Sequence, residues 1–188
     1  MNFSEHTPLT RDEFDRALPP PWPEDLSETV RRRVRAFEHM LVVLDDDPTG
    51  GQAVHGLREL LHWDEALLEA QLSDRRNAFF ALTNTRSMSP VDAQTCIHNL
   101  ADQLAQIAER LEQPLDLLVR GDSTLRGHFP LELDTVRSAF EERLGIRYDG
   151  VVLCPFFAEG GRVTAGDIHW VEESNMMRPV ALTEFARD

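Results

Sequence analysis

The chain has 188 residues, long enough for one domain with a real core, and its 41% hydrophobic and 28% charged content is ordinary for a soluble globular protein. A formal net charge of −14 argues against nonspecific nucleic-acid binding, and no apolar run reaches the ~20 residues of a membrane span. All 19 basic residues are arginine, which excludes mechanisms built on a lysine, such as a Walker A phosphate lysine or a Schiff base.

The N-terminus lacks a basic segment followed by an apolar one, so no signal peptide is expected. Residues 1–27 carry Pro8, Pro19, Pro20, Pro21 and Pro23 and read as a proline-rich surface arm, leaving 28–188 as the domain. Ser27 can cap a helix over 28–39, with Val30, Val34 and Phe37 at helical spacing and Arg31, Arg32, Arg33 and Arg35 on its solvated face. Leu41 to Leu44 then read as a strand buried on both faces, followed at once by Asp45, Asp46, Asp47 and a Pro-Thr-Gly-Gly turn.

The spacing of Val54, Leu57, Leu60 and Leu61 predicts a helix over 52–63. A second strand, Ala78 to Leu82, ends in Thr83-Asn84-Thr85-Arg86-Ser87. Ser89-Pro90 opens a long amphipathic helix carrying Ala93, Ile97, Leu100, Leu104, Ile107 and Leu111. Leu115 to Val119 form a third strand that ends in the charged run 120–128, and 130–144 form the next helix. Val151 to Leu153 read as a fourth strand closed by Cys154-Pro155, and 156–171 as a glycine-turned loop or hairpin. Cys96 and Cys154, 58 positions apart, form neither a disulfide framework nor a thiolate zinc site. Both are expected to pack as small buried hydrophobes, in keeping with a reducing cytoplasm.

Strands alternating with helices predict an α/β fold, Rossmann-like, three layers α/β/α around a mostly parallel sheet. Ligands of such sheets bind beyond the carboxyl ends of the strands, so the polar strand ends are expected to line one crevice. The abrupt end at residues 182–188 reads as a fragment of something longer.

Chemistry concentrates at those strand ends. Asp46, Asp47, Thr49 and Gly50 offer carboxylates and a hydroxyl that can accept from, or act as base on, a substrate hydroxyl. Arg86, beside Thr85 and Ser87, can pair with a carboxylate or phosphate, or can bridge the acidic turn internally. Arg120, Asp122, Ser123, Thr124, Arg126 and His128 fall within nine residues, and two arginines beside two hydroxyls suit an anionic, polyhydroxylated small molecule. Glu159, Arg162 and Thr164 repeat that theme more weakly. No His, Asp or Glu set has metal-ligand spacing, so no metal site is expected.

Three ordered motifs resemble the four-carbon acid sugar kinases: Asp46-Asp47-Pro48-Thr49-Gly50, Asp122-Ser123-Thr124-Leu125-Arg126-Gly127, and the run from Cys154-Pro155 through Gly161-Arg162 to Gly166. The resemblance covers about residues 41–188. It implies the N-terminal, substrate-binding α/β domain of an ATP-dependent kinase acting on threonate, erythronate or 3-oxo-tetronate. Asp46 and Asp47 would hold or activate a hydroxyl. Arg86 and the 122–126 loop would grip the carboxylate and remaining hydroxyls, with Thr49, Gly50, Ser87, Arg120 and Arg162 also in the binding set. ATP and Mg2+ would belong to a C-terminal nucleotide-binding domain absent from this chain, which alone should bind neither tightly and transfer no phosphate. Arg120 stands where many relatives have lysine. The expected partner is thus a small sugar acid, with neither nucleic acid nor membrane.

Two other readings remain open. Residues 41–49 also fit the nucleophile motif of haloacid dehalogenase-like phosphatases, with Asp45 as nucleophile, Asp47 as acid/base and Thr83 as second motif. That class needs magnesium and a basic third element, and no lysine is present. The chain can also be a noncatalytic sugar-acid-binding module or remnant.

Overall fold

The computed structural model describes residues 7–74 and 77–186, and only the backbone of Gln52 and Ala53. The first six residues of the expected arm and the last two of the chain lie outside it. In chain order the elements begin with β1 (Leu9–Thr10), α1 (Arg11–Ala17), α2 (Ser27–Arg35), β2 (Met40–Asp45), β3 (Arg58–Leu60) and α3 (Glu65–Ser73). They continue with β4 (Ala78–Leu82), α4 (Pro90–Leu111), β5 (Leu115–Arg120), α5 (Leu131–Leu144), β6 (Arg162–Ala165), β7 (Ile168–Glu173) and β8 (Met176–Pro179). They form two compact units. One comprises Ser27–Gly121 and Gly127–Val151; the other comprises 7–26, Asp122–Arg126 and 152–186.

The larger unit is α/β and Rossmann-like, with a parallel sheet in the order β3-β4-β2-β5. Register explains how one sheet face becomes core. Val42 lies opposite Phe79 and Leu117, and Leu44 opposite Ala81 and Val119. Because side chains alternate along a strand, these residues and Met40 share a face. They form one apolar cluster with Leu68 and Leu72 of α3, Ile97, Leu100, Leu104 and Ile107 of α4, and Val136 and Phe140 of α5. Fully burying such a side chain contributes about 1.5–3 kcal/mol, so this face holds the unit together. The long helix has the expected start: the Ser89 side chain accepts from the Asp92 amide, and Pro90 occupies the first turn, where its missing N–H costs nothing.

Several expectations are corrected. Residues 52–63 are not a helix: a 3-10 turn, Gly50–Ala53, leads to β3, which pairs with β4. Leu60 reaches the core while Val54, Leu57 and Leu61 are exposed, so the apolar spacing marks no helix face. The helix comes later as α3, where the Asp64 side chain caps the Leu67 amide. α2 stops at Arg35, and Val30, Val34 and Phe37 are exposed rather than inward. Residues 151–153 form no strand, and Val152 is 95% exposed. Cys154 is exposed, not a buried hydrophobe, whereas Cys96 is half-buried, and burial pushes its thiol pKa up.

The smaller unit holds an antiparallel sheet, β1-β8-β7-β6. β6 and β7 are the arms of the anticipated hairpin. Phe14, Trp170 and Met177 make its core, the two rings meeting edge-to-face at 5.3 Å between centroids. Residues 9–17 therefore belong to folded structure rather than to a bare arm. A capping box explains it: the Thr10 hydroxyl accepts from the Glu13 amide, and the Glu13 carboxylate accepts from the Thr10 amide, so α1 starts despite the prolines on both sides.

Candidate functional site

The acidic turn lies at the carboxyl end of β2, between the ends of β4 and β5. The amides of Thr83 and Arg86 donate to the carbonyls of Asp45 and Asp46, at 2.8 and 3.2 Å, and the Asp46 amide donates to the Arg120 carbonyl at 3.3 Å. Three strand ends are thus tied by backbone alone, the geometry in which parallel sheets hold ligands.

The side chains then pair. Arg86 donates from Nε to Asp46 Oδ2 at 3.0 Å and from Nη2 to Oδ1 at 2.8 Å, a bidentate fork on a carboxylate that is 3% exposed. Arg86 Nη1 also lies 3.2 Å from Asp47 Oδ2. Arg120 Nη1 donates to Asp45 Oδ1 at 3.2 Å and to Asp46 Oδ1 at 3.5 Å. Two guanidinium groups therefore offset three adjacent carboxylates, and the internal bridge is what Arg86 makes.

Asp47 accepts from the amide of Thr49 at 2.8 Å and from its hydroxyl, bonds that hold its carboxyl below the usual carboxylate range. Asp45 is the contrary case. It is fully buried, and its Oδ2 has no hydrogen-bond partner among the described residues. Burial pushes its carboxyl up to about 6, with Arg120 pulling the other way. Gly50 lies directly on that carboxylate: a Cβ there would be 1.7 Å from Asp45 Oδ2. Gly127 is required by its backbone instead, at φ +105°, since its Cβ position would lie 3.4 Å from Asp46 Oδ2, near ordinary contact. Ser87 is engaged locally, donating to the Asn84 carbonyl at 2.9 Å, and makes no bond to the acidic turn.

The other expected residues gather in the smaller unit. Asp122 accepts from the Thr124 amide at 3.1 Å and hydroxyl, and from Arg126 Nε at 2.9 Å. Burial works to raise its carboxyl, but Arg126 and Thr124 outweigh it and hold the group below the usual range. The Ser123 carbonyl accepts from His169 Nε2, whose Nδ1 meets the Thr164 hydroxyl at 3.1 Å. Arg126 and Arg162 share one aromatic ring, at 5.2 and 5.9 Å from the Phe185 centroid. Arg162 Nη1 donates to the Gly160 carbonyl, and its Nε is buried without a partner among the described residues. The sequence marked Arg126 and Arg162 but not His169 or Phe185, which lie outside any motif.

Sequence reasoning placed His128 in the charged run without a role of its own and missed Glu132, both in the larger unit, although a signal for Glu132 exists. The buried positions of α5 are 132, 135, 136, 139 and 140, so a carboxylate occupies an otherwise core-facing stripe.

A parallel sheet whose strand ends carry clasped carboxylates and guanidinium groups is the architecture of a small-molecule-binding α/β domain. Residues 41–188 match the model of the sugar-binding N-terminal domain family. The chain belongs to that family. Among curated proteins none matches. A solved structure of a domain of unknown function from Bordetella bronchiseptica, a domain-swapped dimer with bound citrate, is 25% identical with a TM-score of 0.59. The alignment covers 81% of this chain and 37% of that one. No helix among the described residues is long and apolar enough to cross a membrane.

Proposed function

We propose that this chain binds a hydroxylated four-carbon acid (threonate, erythronate or 3-oxo-tetronate) and orients it for phosphorylation by ATP and magnesium held on a separate C-terminal domain. The observation that carries the reading is the Arg86–Asp46–Arg120 arrangement at three parallel strand ends in a sugar-binding family member. Guanidinium donors beside carboxylate acceptors meet both needs of such a ligand, its carboxylate and its hydroxyls. Citrate, carried by the Bordetella protein, is itself a hydroxylated acid and supports an acid ligand here.

The clasp also divides the labour between neighbouring aspartates. Asp46 is buried under Arg86, whereas the Asp47 side chain is 25% exposed and keeps lone pairs open to a ligand hydroxyl. Asp47 is therefore the base and Asp46 the anchor for Arg86. In the smaller unit, Arg126 and Arg162, which share the Phe185 ring, are the cations this reading sets against an anion. In this reading magnesium arrives with the nucleotide. Phosphoryl transfer depends mostly on positioning and electrostatics, and this chain's share is the position of the acceptor hydroxyl. Geometry does not favour the phosphatase alternative: Asp45 is fully buried beneath Gly50, leaving a phosphoryl group no approach.

Thermal unfolding with threonate, erythronate, citrate and the uncharged polyol erythritol, each with and without magnesium, tests the reading. Ligand at 100 times its Kd stabilises the native state by about 2.7 kcal/mol. The acids are expected to raise Tm independently of magnesium and erythritol to leave it unchanged. Silence toward every acid would overturn the proposal. Magnesium-dependent release of phosphate from a monoester would establish the phosphatase instead.

A further inference from the structure

Arg86 sits on a one-turn 3-10 segment, Thr85–Ser87, that would not hold its direction unaided. Two buried or half-buried groups grip it from the side of α5. His128 Nε2 lies 3.0 Å from the Thr85 carbonyl and 3.1 Å from the Met88 carbonyl. Both oxygens can only accept, so Nε2 carries a hydrogen and shares it between the two ends of the turn. Glu132, 5% exposed, meets the hydroxyl of fully buried Thr85. From Thr85 the contacts continue to Thr83 Oγ1 at 3.1 Å and from there to the Asp45 carbonyl at 2.9 Å.

We propose that His128 and Glu132 are positioning residues that lock the turn carrying Arg86 onto the acidic turn, an inference that rests on the sugar-acid reading only for its effect on binding. Counting hydrogens sharpens it. The path Glu132–Thr85–Thr83–Asp45 has three contacts, and its two hydroxyls supply two hydrogens. Thr85 donates its hydrogen to the Glu132 carboxyl and Thr83 donates its own to the Asp45 carbonyl, so both ends of the path are fixed and the two hydroxyl oxygens meet between them. Burial raises the Glu132 carboxyl and Asp46 adds to this, while Thr85, His128 and Arg86 pull against it. Cys96 of α4 also feels the Glu132 charge. The chain of bonds ends on the carbonyl of Asp45, immediately before Asp46, so Glu132 and His128 set where the bidentate fork of Arg86 can form.

The test uses the Arg86 Nε–H signal in NMR, whose slow hydrogen exchange reports the fork on Asp46 without any ligand, alongside affinity for threonate and erythronate. Glu132→Leu and His128→Ala are expected to speed that exchange and weaken binding about tenfold. Glu132→Gln, which keeps an acceptor for Thr85, and His128→Gln, which keeps a donor for the two carbonyls, should retain both properties. Added to Arg86→Ala, His128→Ala should bring no further loss of affinity. Should Glu132→Leu fail to fold, Thr85→Val breaks the same path without altering α5. Unchanged Arg86 exchange in the Leu, Ala and Val variants would overturn the proposal, as would losses additive with Arg86→Ala. If the wild-type protein binds neither acid, the sugar-acid reading fails, and the exchange measurement still decides whether the lock exists.

Discussion

Arg86 holds Asp46 by both carboxylate oxygens, at 3.0 and 2.8 Å, across two strand ends forty positions apart in sequence. A lysine there supplies a point charge but not a planar fork. Arg86→Lys is therefore expected to cost stability, by about 2 kcal/mol, since a buried carboxylate loses one of its paired donors while Arg120 remains. Urea unfolding followed by circular dichroism measures this. A midpoint equal to wild type would mean that charge alone, not the fork, holds Asp46.

Gly50 is required by space rather than by backbone conformation. Its Cβ position lies 1.7 Å from Asp45 Oδ2, and Asp45 cannot swing away because it is buried and tied to Arg120. Gly50→Ala is expected to destabilise by about 1–3 kcal/mol, the usual cost of forcing an extra methyl into a packed site. Shortening the obstacle in the double variant Gly50→Ala/Asp45→Ala should recover part of the loss. A Gly50→Ala protein as stable as wild type would show that the turn lifts off Asp45 freely.

Asp45 predicts an unusual pH dependence. Its carboxyl is raised to about 6, against an ordinary 3.8, chiefly by burial. The folded state then binds this proton more tightly than the unfolded state. Its contribution to stability is fully present below about pH 4 and is lost as pH rises through about 6. Between those values wild type should lose stability that Asp45→Asn, which has no proton to lose, keeps. Denaturant titrations of both proteins across that window would expose the difference; parallel curves would contradict the raised value.

The parallel sheet was legible because β2 and β4 carry unbroken apolar runs and β5 a run broken only by Asp116, and a core strand needs little else to declare itself. β3 was not. Val54, Leu57, Leu60 and Leu61 mimic a helix face, and only pairing with β4, a tertiary fact, makes Arg58–Leu60 a strand. The exposed Val30, Val34 and Phe37 misled in the same way, since periodicity records which face a helix could bury and not whether anything covers it. At the candidate site, residue types were readable but pairings were not. That Arg86 chooses Asp46, and that Asp47 bonds Thr49, follows from side-chain directions that a one-dimensional spacing does not contain.

Arg126 carries the last prediction because it joins the ligand question to a proton. It donates to Asp122, stacks on Phe185, and lies within the residues that match the sugar-binding family. Arg137, in an exposed i,i+3 pair with Asp134 on α5, provides the control, since such pairs contribute little. Arg126→Ala is expected to weaken threonate or erythronate binding about tenfold or more and Arg137→Ala to leave it unchanged, measured by calorimetry. A second readout separates loss of a ligand contact from collapse of the loop. Asp122 is held below the ordinary carboxylate range, so its contribution to stability is present above about pH 4 and disappears as the pH falls. Removing Arg126 should shrink that acid-side loss. Weakened binding with an unaltered acid limb would place Arg126 on the ligand but not on Asp122. A smaller acid limb with full binding would make it a brace for the loop and move the anion to Arg162.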